Sequence, residues 1–497
     1  MSGLSEDDVL QRADKAFQVY RYISAQKRAA FLHAIAAEID NLTDDLIRIA
    51  AEETCLPEAR LKNERGRTTN QLKAFAQLLQ AGDWVQATID TGDTERKPLP
   101  RPDLRKMLFP IGPVVVFGAS NFPLAFSTAG GDTASALASG CTVVVKSHPA
   151  HPRTSALVSS AIREAIRQCG LPGDIFQEVS DTSIEAGQRL VQHRLTKAVA
   201  FTGSFQGGKA LFDLAGKREE PIPVYAEMGS INPVVLLPGI VRESDTLPAT
   251  LASSILLGVG QFCTNPGLLI ALDTDGFTSF LHKLAAEMAQ ASPGNMLHTG
   301  IAAAYKHKKS EALHQKGVHT LIQEKTDTTE RQGAPALALV DARDFIANPI
   351  LKEEVFGPYS LIVKCEDEEE LKRVVQSLKG QLTATVFGLP QELPVYREVI
   401  GLLQTRCGRL ICNGVPTGVE VTKAMQHGGP YPSSTDSKFT SVGTDAIYRF
   451  VRPVCFQDFP EALLPPELQN KNELNIWRCV NNTWTRAAIQ TFNLQQA

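Results

Sequence analysis

Apolar residues recur at helical spacing near the start of the chain and gather into short β-branched runs further on. Ala29, Ala30, Leu32, Ile35, Ala36 and Ile39 stand between charged positions, and Leu42 to Ala51 and Leu61 to Leu79 repeat the pattern. This predicts four helices between residues 5 and 82, with Asn41-Leu42-Thr43-Asp44-Asp45 supplying cap-type residues between two of them. From Gln86 to Pro110 the character changes to Thr, Asp, Gly and Pro with basic residues. By composition that stretch is a solvated surface loop, the alternative being an arm that packs on another subunit.

A regular alternation follows. Val114 to Phe117, Thr142 to Lys146, Asp174 to Val179, Ala198 to Phe201 and Ile222 to Ala226 are short apolar runs, with helix-like segments such as Leu124 to Ala138 and Arg153 to Cys169 between them. Such alternation predicts βαβ units and a parallel sheet covered on both faces. A second series runs from Asn232 to about residue 425, with strands at Val234 to Leu237, Leu268 to Leu272, Leu361 to Lys364, Ala384 to Gly388 and Arg409 to Cys412. The expected fold class is α/β with two doubly wound parallel-sheet domains. Ser310 to Gln332 is charged and weakly patterned, which predicts an exposed excursion. Glu366 to Glu370 is an acidic run at a helix start. Tyr448 to Phe456 is strand-like, and the last thirty or so residues suggest only a surface extension.

The 497 residues, 43% hydrophobic and 21% charged, describe a soluble globular protein of about three domains by length. A net charge of −4 provides no basic footprint for nucleic acid and no polybasic membrane signal. Expected partners are small molecules and copies of the chain. Nine scattered cysteines, an odd number without a CxxC pair, argue against a disulfide framework and against a zinc site, and no metal is expected. The acidic start, Met1 to Asp8, is unlike a signal peptide, and no apolar run has membrane-spanning length. A cytoplasmic location is expected.

Candidate chemistry centres on Gly258-Val259-Gly260-Gln261-Phe262-Cys263-Thr264-Asn265-Pro266. Glycines allow a sharp turn and Pro266 stops a helix, so one thiol is presented at the mouth of a core element. A lone cysteine is more often a small buried hydrophobe. Two upstream residues change that reading: Asn121, in the turn after a buried strand, and Glu227, in Ala226-Glu227-Met228-Gly229. A thiol nucleophile, an amide donor and a carboxylate base are what covalent oxidation of a carbonyl requires. Phe201-Thr202-Gly203-Ser204, with Gly208 beyond it, opens a helix whose N-terminus suits a phosphate. No GxGxxG follows the first strand. Lys146 ends a buried strand, where its ammonium must reach water or a ligand.

Together these positions resemble the aldehyde dehydrogenase superfamily. The matching motifs are Asn121-Phe122-Pro123, Lys146, Phe201 to Ser204 with Gly208, Glu227-Met228-Gly229, Gly260 to Cys263, Glu354-Val355-Phe356-Gly357-Pro358 and Asn413-Gly414, in the family's order across residues 10 to 460. Within it, Phe117 to Gly131, Lys146 to Ser155 and Asn413 to Gly443 are most similar to NADP-using α-ketoglutarate semialdehyde (2,5-dioxovalerate) dehydrogenases. Bacterial fatty-aldehyde dehydrogenases are the nearest rival.

The resemblance implies that Cys263 attacks the aldehyde and that Asn121 and the Cys263 N–H stabilise the oxyanion. Glu227 would activate the water that releases the acid, which argues for hydrolysis over transfer to coenzyme A. For the cofactor it implies Lys146, Ser147, His148, Phe201, Thr202, Gly203, Ser204, Gly208, Gly229, Glu354 and Phe356. NAD-specific relatives commonly carry a glutamate where this chain has Pro149, so NADP is favoured, with His148 and Arg153 nearby and NAD also possible. Phe122, Phe126, Phe262 and Thr264 would line the substrate channel, with Ala129 and Gly130 adding little bulk. No cationic group for the far end of a semialdehyde stands out.

The implied domains are 1–85 with 110–230 for the cofactor, 231–440 for catalysis, an oligomerisation arm of 86–109 with 441–463, and a C-terminal extension, 464–497. The arm replaces the solvated-loop reading of 86–109 and implies a homodimer or homotetramer. The chain departs from the family in starting at the first helix and in carrying Gly428 to Ser434 where a Pro-Phe-Gly-Gly segment is usual. Rival functions are oxidation of medium or long-chain fatty aldehydes on the same scaffold, and a non-redox thiol hydrolase or silent nucleotide-binding protein.

Overall fold

The structure is a computed structural model that describes residues 5–323 and 328–490. Four helices open it: Glu6–Tyr20, Ala25–Asn41, Thr43–Thr54 and Glu58–Ala81. Ser5 accepts the Asp8 N–H while the Asp8 carboxylate reaches back, so the first turn is capped reciprocally. Leu32, Ile35, Leu72 and Phe75 from these helices share one core with Val114, Val116 and Val143.

Those valines belong to a five-stranded sheet in the order 176–179, 143–146, 114–117, 198–202, 224–227. All four pairings are parallel. The strand order reverses between 114–117 and 198–202, so the crevice beyond their carboxyl ends is where a ligand of such a sheet binds. A second, seven-stranded sheet has the order 319–320, 336–341, 359–365, 268–272, 233–236, 381–387, 407–412. Its first strand is antiparallel to its neighbour and the rest are parallel. Strands buried on both faces read as unbroken apolar runs, and all five residues of Leu268–Leu272 are buried.

A third sheet orders 451–457, 104–110, 88–90, 478–480 and 483–485. Residues from 464 onward are therefore more than an extension: their hairpin pairs in parallel with 88–90 and completes this arm. Arg478 folds the tail on itself, while the pairing with 88–90 and the Arg105 bond to Leu468 O at 2.6 Å dock it. The Arg478 side chain is fully buried and donates to the carbonyls of Gln469, of Asn470 at 3.3 Å and of Ala487 at 3.2 Å.

Three other expectations are corrected. The helix expected at Leu124 to Ala138 begins only at Gly131, because the Leu124 and Ala125 N–H groups donate to Glu64 at 2.8 and 2.9 Å instead of to a helical carbonyl. Ala336–Asp341 is an unexpected buried strand, whose alanine-rich run lacks the β-branched signature. Within Ser310 to Gln332, Ala312 and Ile322 are buried, so the excursion is partly core; residues 324–327 lie outside the described residues. Thr444–Phe450 is a tight helical turn that precedes the strand Val451–Gln457. Among the described residues no helix is long and apolar enough to cross a membrane.

Arg478→Met should strand several buried carbonyls and cost about 3 kcal/mol. Urea denaturation would show a lower midpoint, and an unchanged midpoint would mean the tail keeps its fold without these bonds.

Candidate active site

Glu227 ends the last strand of the five-stranded sheet, and its carboxylate is buried. Strand 224–227 gains a covering segment from 433–435, with Met228 N–H donating to Ser433 O at 2.8 Å and Thr435 N–H to Ala226 O at 3.1 Å. That segment brings two partners with it. Ser441 Oγ donates to Glu227 Oε2 at 2.5 Å, and His427 Nε2 lies 3.0 Å from Glu227 Oε1. The same His427 nitrogen is 3.5 Å from Cys263 Sγ. Neither His427 nor Ser441 was expected from the sequence, since both lie in a stretch without helix or strand.

Cys263 follows a turn in which Gly258, Val259 and Gly260 all have positive φ, at 57, 58 and 64°. A β-branched residue is strained there. Gly260 has no alternative, since a Cβ would come within 2.1 Å of Gly357 O. Beyond the turn, Asn232 clips the loop by donating from Nδ2 to the carbonyls of Cys263 and Asn265, each at 2.9 Å. Its own Oδ1 accepts from Ser230 Oγ and Thr383 Oγ1, each at 3.0 Å. The amide of Asn121 reaches the same turn, with Nδ2 donating to Gln261 O at 3.2 Å. An amide has two N–H donors, so one remains for a substrate oxygen.

Burial pushes the Cys263 thiol well above its ordinary range, and the Glu227 charge pushes it further, against a smaller opposing pull from Arg67. For Glu227 burial acts upward, but the His427 charge and the hydrogen bonds from His427 and Ser441 leave it lowered overall. A carboxylate, an imidazole and a half-buried thiol thus share one site. Their ligand atoms lie within 4.8 Å of one another, close enough for a metal ion, a grouping that the reading of cysteine spacing did not foresee.

The expected channel residues form a cage. Phe122 meets Phe126 and Phe262 edge to face, with ring centroids 5.3 and 5.5 Å apart, and Phe126 lies 6.2 Å from the His427 ring. Thr264 is buried, its hydroxyl without a partner among the described residues. Ala129 and Gly130 are buried too.

The expected cofactor residues cluster at the sheet's carboxyl edge. Lys146 is buried, which depresses its pKa. Ser147 Oγ donates to Val179 O at 3.4 Å. Phe201, Thr202 and Gly203 lead to the helix Phe205–Gly216, capped by Ser204. Glycine is required at two places: a Cβ on Gly203 would lie 2.7 Å from the Phe201 ring, and one on Gly208 would lie 2.7 Å from Met228. Across the crevice, a Cβ on Gly229 would lie 2.6 Å from Glu354 Oε2. Burial raises the Glu354 carboxyl to about 7. Phe356 and Glu354 line a narrow crevice with Phe262 and Gly260.

Two basic residues near the expected cofactor edge are already engaged. His148 stacks on His151 at 5.5 Å, and burial beside other cationic groups takes its pKa down to about 3. It is a neutral ring and brings no positive charge. Arg153 is engaged by Glu52, at 3.1 Å from each terminal nitrogen.

The last strand of a nucleotide-type sheet thus sets a carboxylate beside a thiol that lies next to a second sheet. The chain belongs to the aldehyde dehydrogenase family, whose model matches residues 5–452. It is 50% identical to alpha-ketoglutaric semialdehyde dehydrogenase 2 of Azospirillum brasilense over 94% of this chain and 89% of that protein. It is 45% identical to the alpha-ketoglutaric semialdehyde dehydrogenase of Acinetobacter baylyi over 97% of this chain and 91% of that one. Among solved structures, succinic semialdehyde dehydrogenase from Streptococcus pyogenes with NADP+ matches with a TM-score of 0.75 at 20% identity, covering 90% of this chain and 94% of that one. At that identity the likeness speaks for the fold alone.

The raised thiol generates a prediction. In the protein without cofactor, iodoacetamide labelling of Cys263, followed by peptide mass spectrometry, should be slow at neutral pH and rise as the medium becomes alkaline. Glu227→Gln removes a negative neighbour and should speed labelling at pH 8; slower labelling would contradict the electrostatic account.

Proposed function

We propose that the protein oxidises α-ketoglutarate semialdehyde (2,5-dioxopentanoate) to 2-oxoglutarate. The observation that carries the chemistry is the convergence of Cys263, His427 and Glu227 within 4.8 Å, beside the Asn121 amide. The substrate is supported by the two relatives named above. The family uses NAD(P), and we propose NADP as the preferred form with NAD accepted. Pro149 presents no carboxylate to a 2′-phosphate, although Arg153 would have to leave Glu52 to pair with one.

His427 Nε2 is placed to take the proton from Cys263 Sγ, which the raised thiol requires. The thiolate then attacks the aldehyde carbon. Negative charge moves to the carbonyl oxygen, where the second Asn121 N–H and the Cys263 N–H stabilise it. Bound NAD(P) would supply the hydride acceptor that makes oxidation to a thioester possible. Lys146, Ser147, His148 and Thr202 to Ser204 would hold it at the sheet edge, with Gly208 behind them, and Gly229, Glu354 and Phe356 across the crevice. The buried Thr202 hydroxyl without a described partner fits a polar ligand there. Glu227, kept ionised by Ser441 and His427, then draws a proton from water attacking the thioester. The C–S bond breaks, the acid leaves and the thiol is restored.

The arm sheet, whose outer strand 451–457 is half exposed, supports assembly as a homodimer or homotetramer.

Cys263→Ala should abolish turnover and leave cofactor binding intact. Glu227→Gln should give one burst of reduced cofactor and then slow release, and normal steady-state turnover would move the base elsewhere. Measuring kcat/KM for 2,5-dioxopentanoate and decanal with NADP and NAD tests the substrate and the cofactor together. A large preference for decanal would reject the semialdehyde, and a preference for NAD would reject NADP.

A further inference from the structure

The aromatic cage has two cations at its back. Arg60 and Arg67 stand two turns apart on the helix Glu58–Ala81. The Arg60 guanidinium lies 4.9 Å from the Phe122 ring and 4.7 Å from the Phe262 ring. That of Arg67 lies 5.2 Å from Phe126 and 5.8 Å from Phe122. Phe262 immediately precedes Cys263, and the Phe126 ring lies 6.2 Å from that of His427, so both cations stand beside the rings that border the site.

Their hydrogen bonds are incomplete. Arg60 Nη2 donates to Asn121 O at 2.6 Å, but buried Nη1 has no partner among the described residues, and neither do buried Nε and Nη2 of Arg67. Glu64, between them on the helix, already holds the Leu124 and Ala125 N–H groups through Oε1. The Arg67 charge feels Cys263, Glu64, Glu227 and Glu420, yet none of them is hydrogen-bonded to it. A half-buried guanidinium whose buried N–H groups stay idle is costly unless an anion completes it. A carboxylate matches its planar fork.

We infer that Arg67, backed by Arg60, anchors the carboxylate at the far end of the substrate from the aldehyde. This rests on the semialdehyde reading above and supplies the cation that sequence reasoning could not name. An alkyl tail would leave these donors unpaired, so the same residues select against fatty aldehydes. A rival role for Arg67 is purely electrostatic, holding down the Cys263 thiol. The two roles differ in one respect: only an anchor distinguishes charged from neutral aldehydes.

The test compares wild type, Arg67→Gln and Arg67→Lys in the full-length protein with NADP, on 2,5-dioxopentanoate and on pentanal. The ratio of kcat/KM for the two aldehydes should fall at least about tenfold in Arg67→Gln, chiefly through KM, and recover in part in Arg67→Lys. Calorimetry should show weaker glutarate binding in Arg67→Gln with pentanoate affinity little changed, a readout that survives loss of turnover. An unchanged ratio together with unchanged glutarate affinity would overturn the anchor. A wild type that prefers pentanal would instead reject the substrate reading itself.

Discussion

Glu227 is a carboxylate held out of water beside a thiol that must also lose its proton, and the surrounding structure is arranged around this conflict. Two neighbouring negative charges in a medium of low polarity are mutually unfavourable. Ser441 and His427 relieve one side by stabilising the carboxylate. The thiol meanwhile remains protonated, because burial and Glu227 both act upward on it. The His427 nitrogen that touches both groups can carry only one proton, so it either donates to the carboxylate or accepts from the sulfur.

The constraint is supported by rigid parts. Asn232 sits at the foot of the second sheet and grips the Cys263 loop from behind, while Thr383 and Ser230 fix its amide. Arg60 holds the Asn121 carbonyl. Three successive left-handed residues then turn the chain just before the sulfur, and the close approach to Gly357 leaves that turn little freedom. Reactive groups on loops gain their accuracy from such second contacts to the sheets beneath.

Much of this was legible in the residues. Alternating apolar runs announced two parallel sheets, and glycine and proline punctuation around Cys263 marked the turn. The pairing of strand 88–90 with a hairpin past residue 477 was not legible, because short strands in a polar tail carry no period. His427 and Ser441 escaped for a related reason: they lie in a loop, where spacing carries no information about what is near in space. Arg60 and Arg67 look like the solvated face of an ordinary amphipathic helix; only packing against three phenylalanines reveals them as partly buried. The burial that lowers the His148 pKa was equally illegible, because its neighbours His151 and His298 meet it only in the fold.

The loop that pairs with strand 224–227 has a consequence for how the protein is made. Its contribution comes from about two hundred residues downstream of Glu227, so a chain emerging from the ribosome carries Cys263 well before His427 and Ser441 exist. Until that last segment docks, the sulfur is an ordinary thiol with no imidazole beside it. The reactive centre is therefore completed late in biogenesis, after both sheets can have formed.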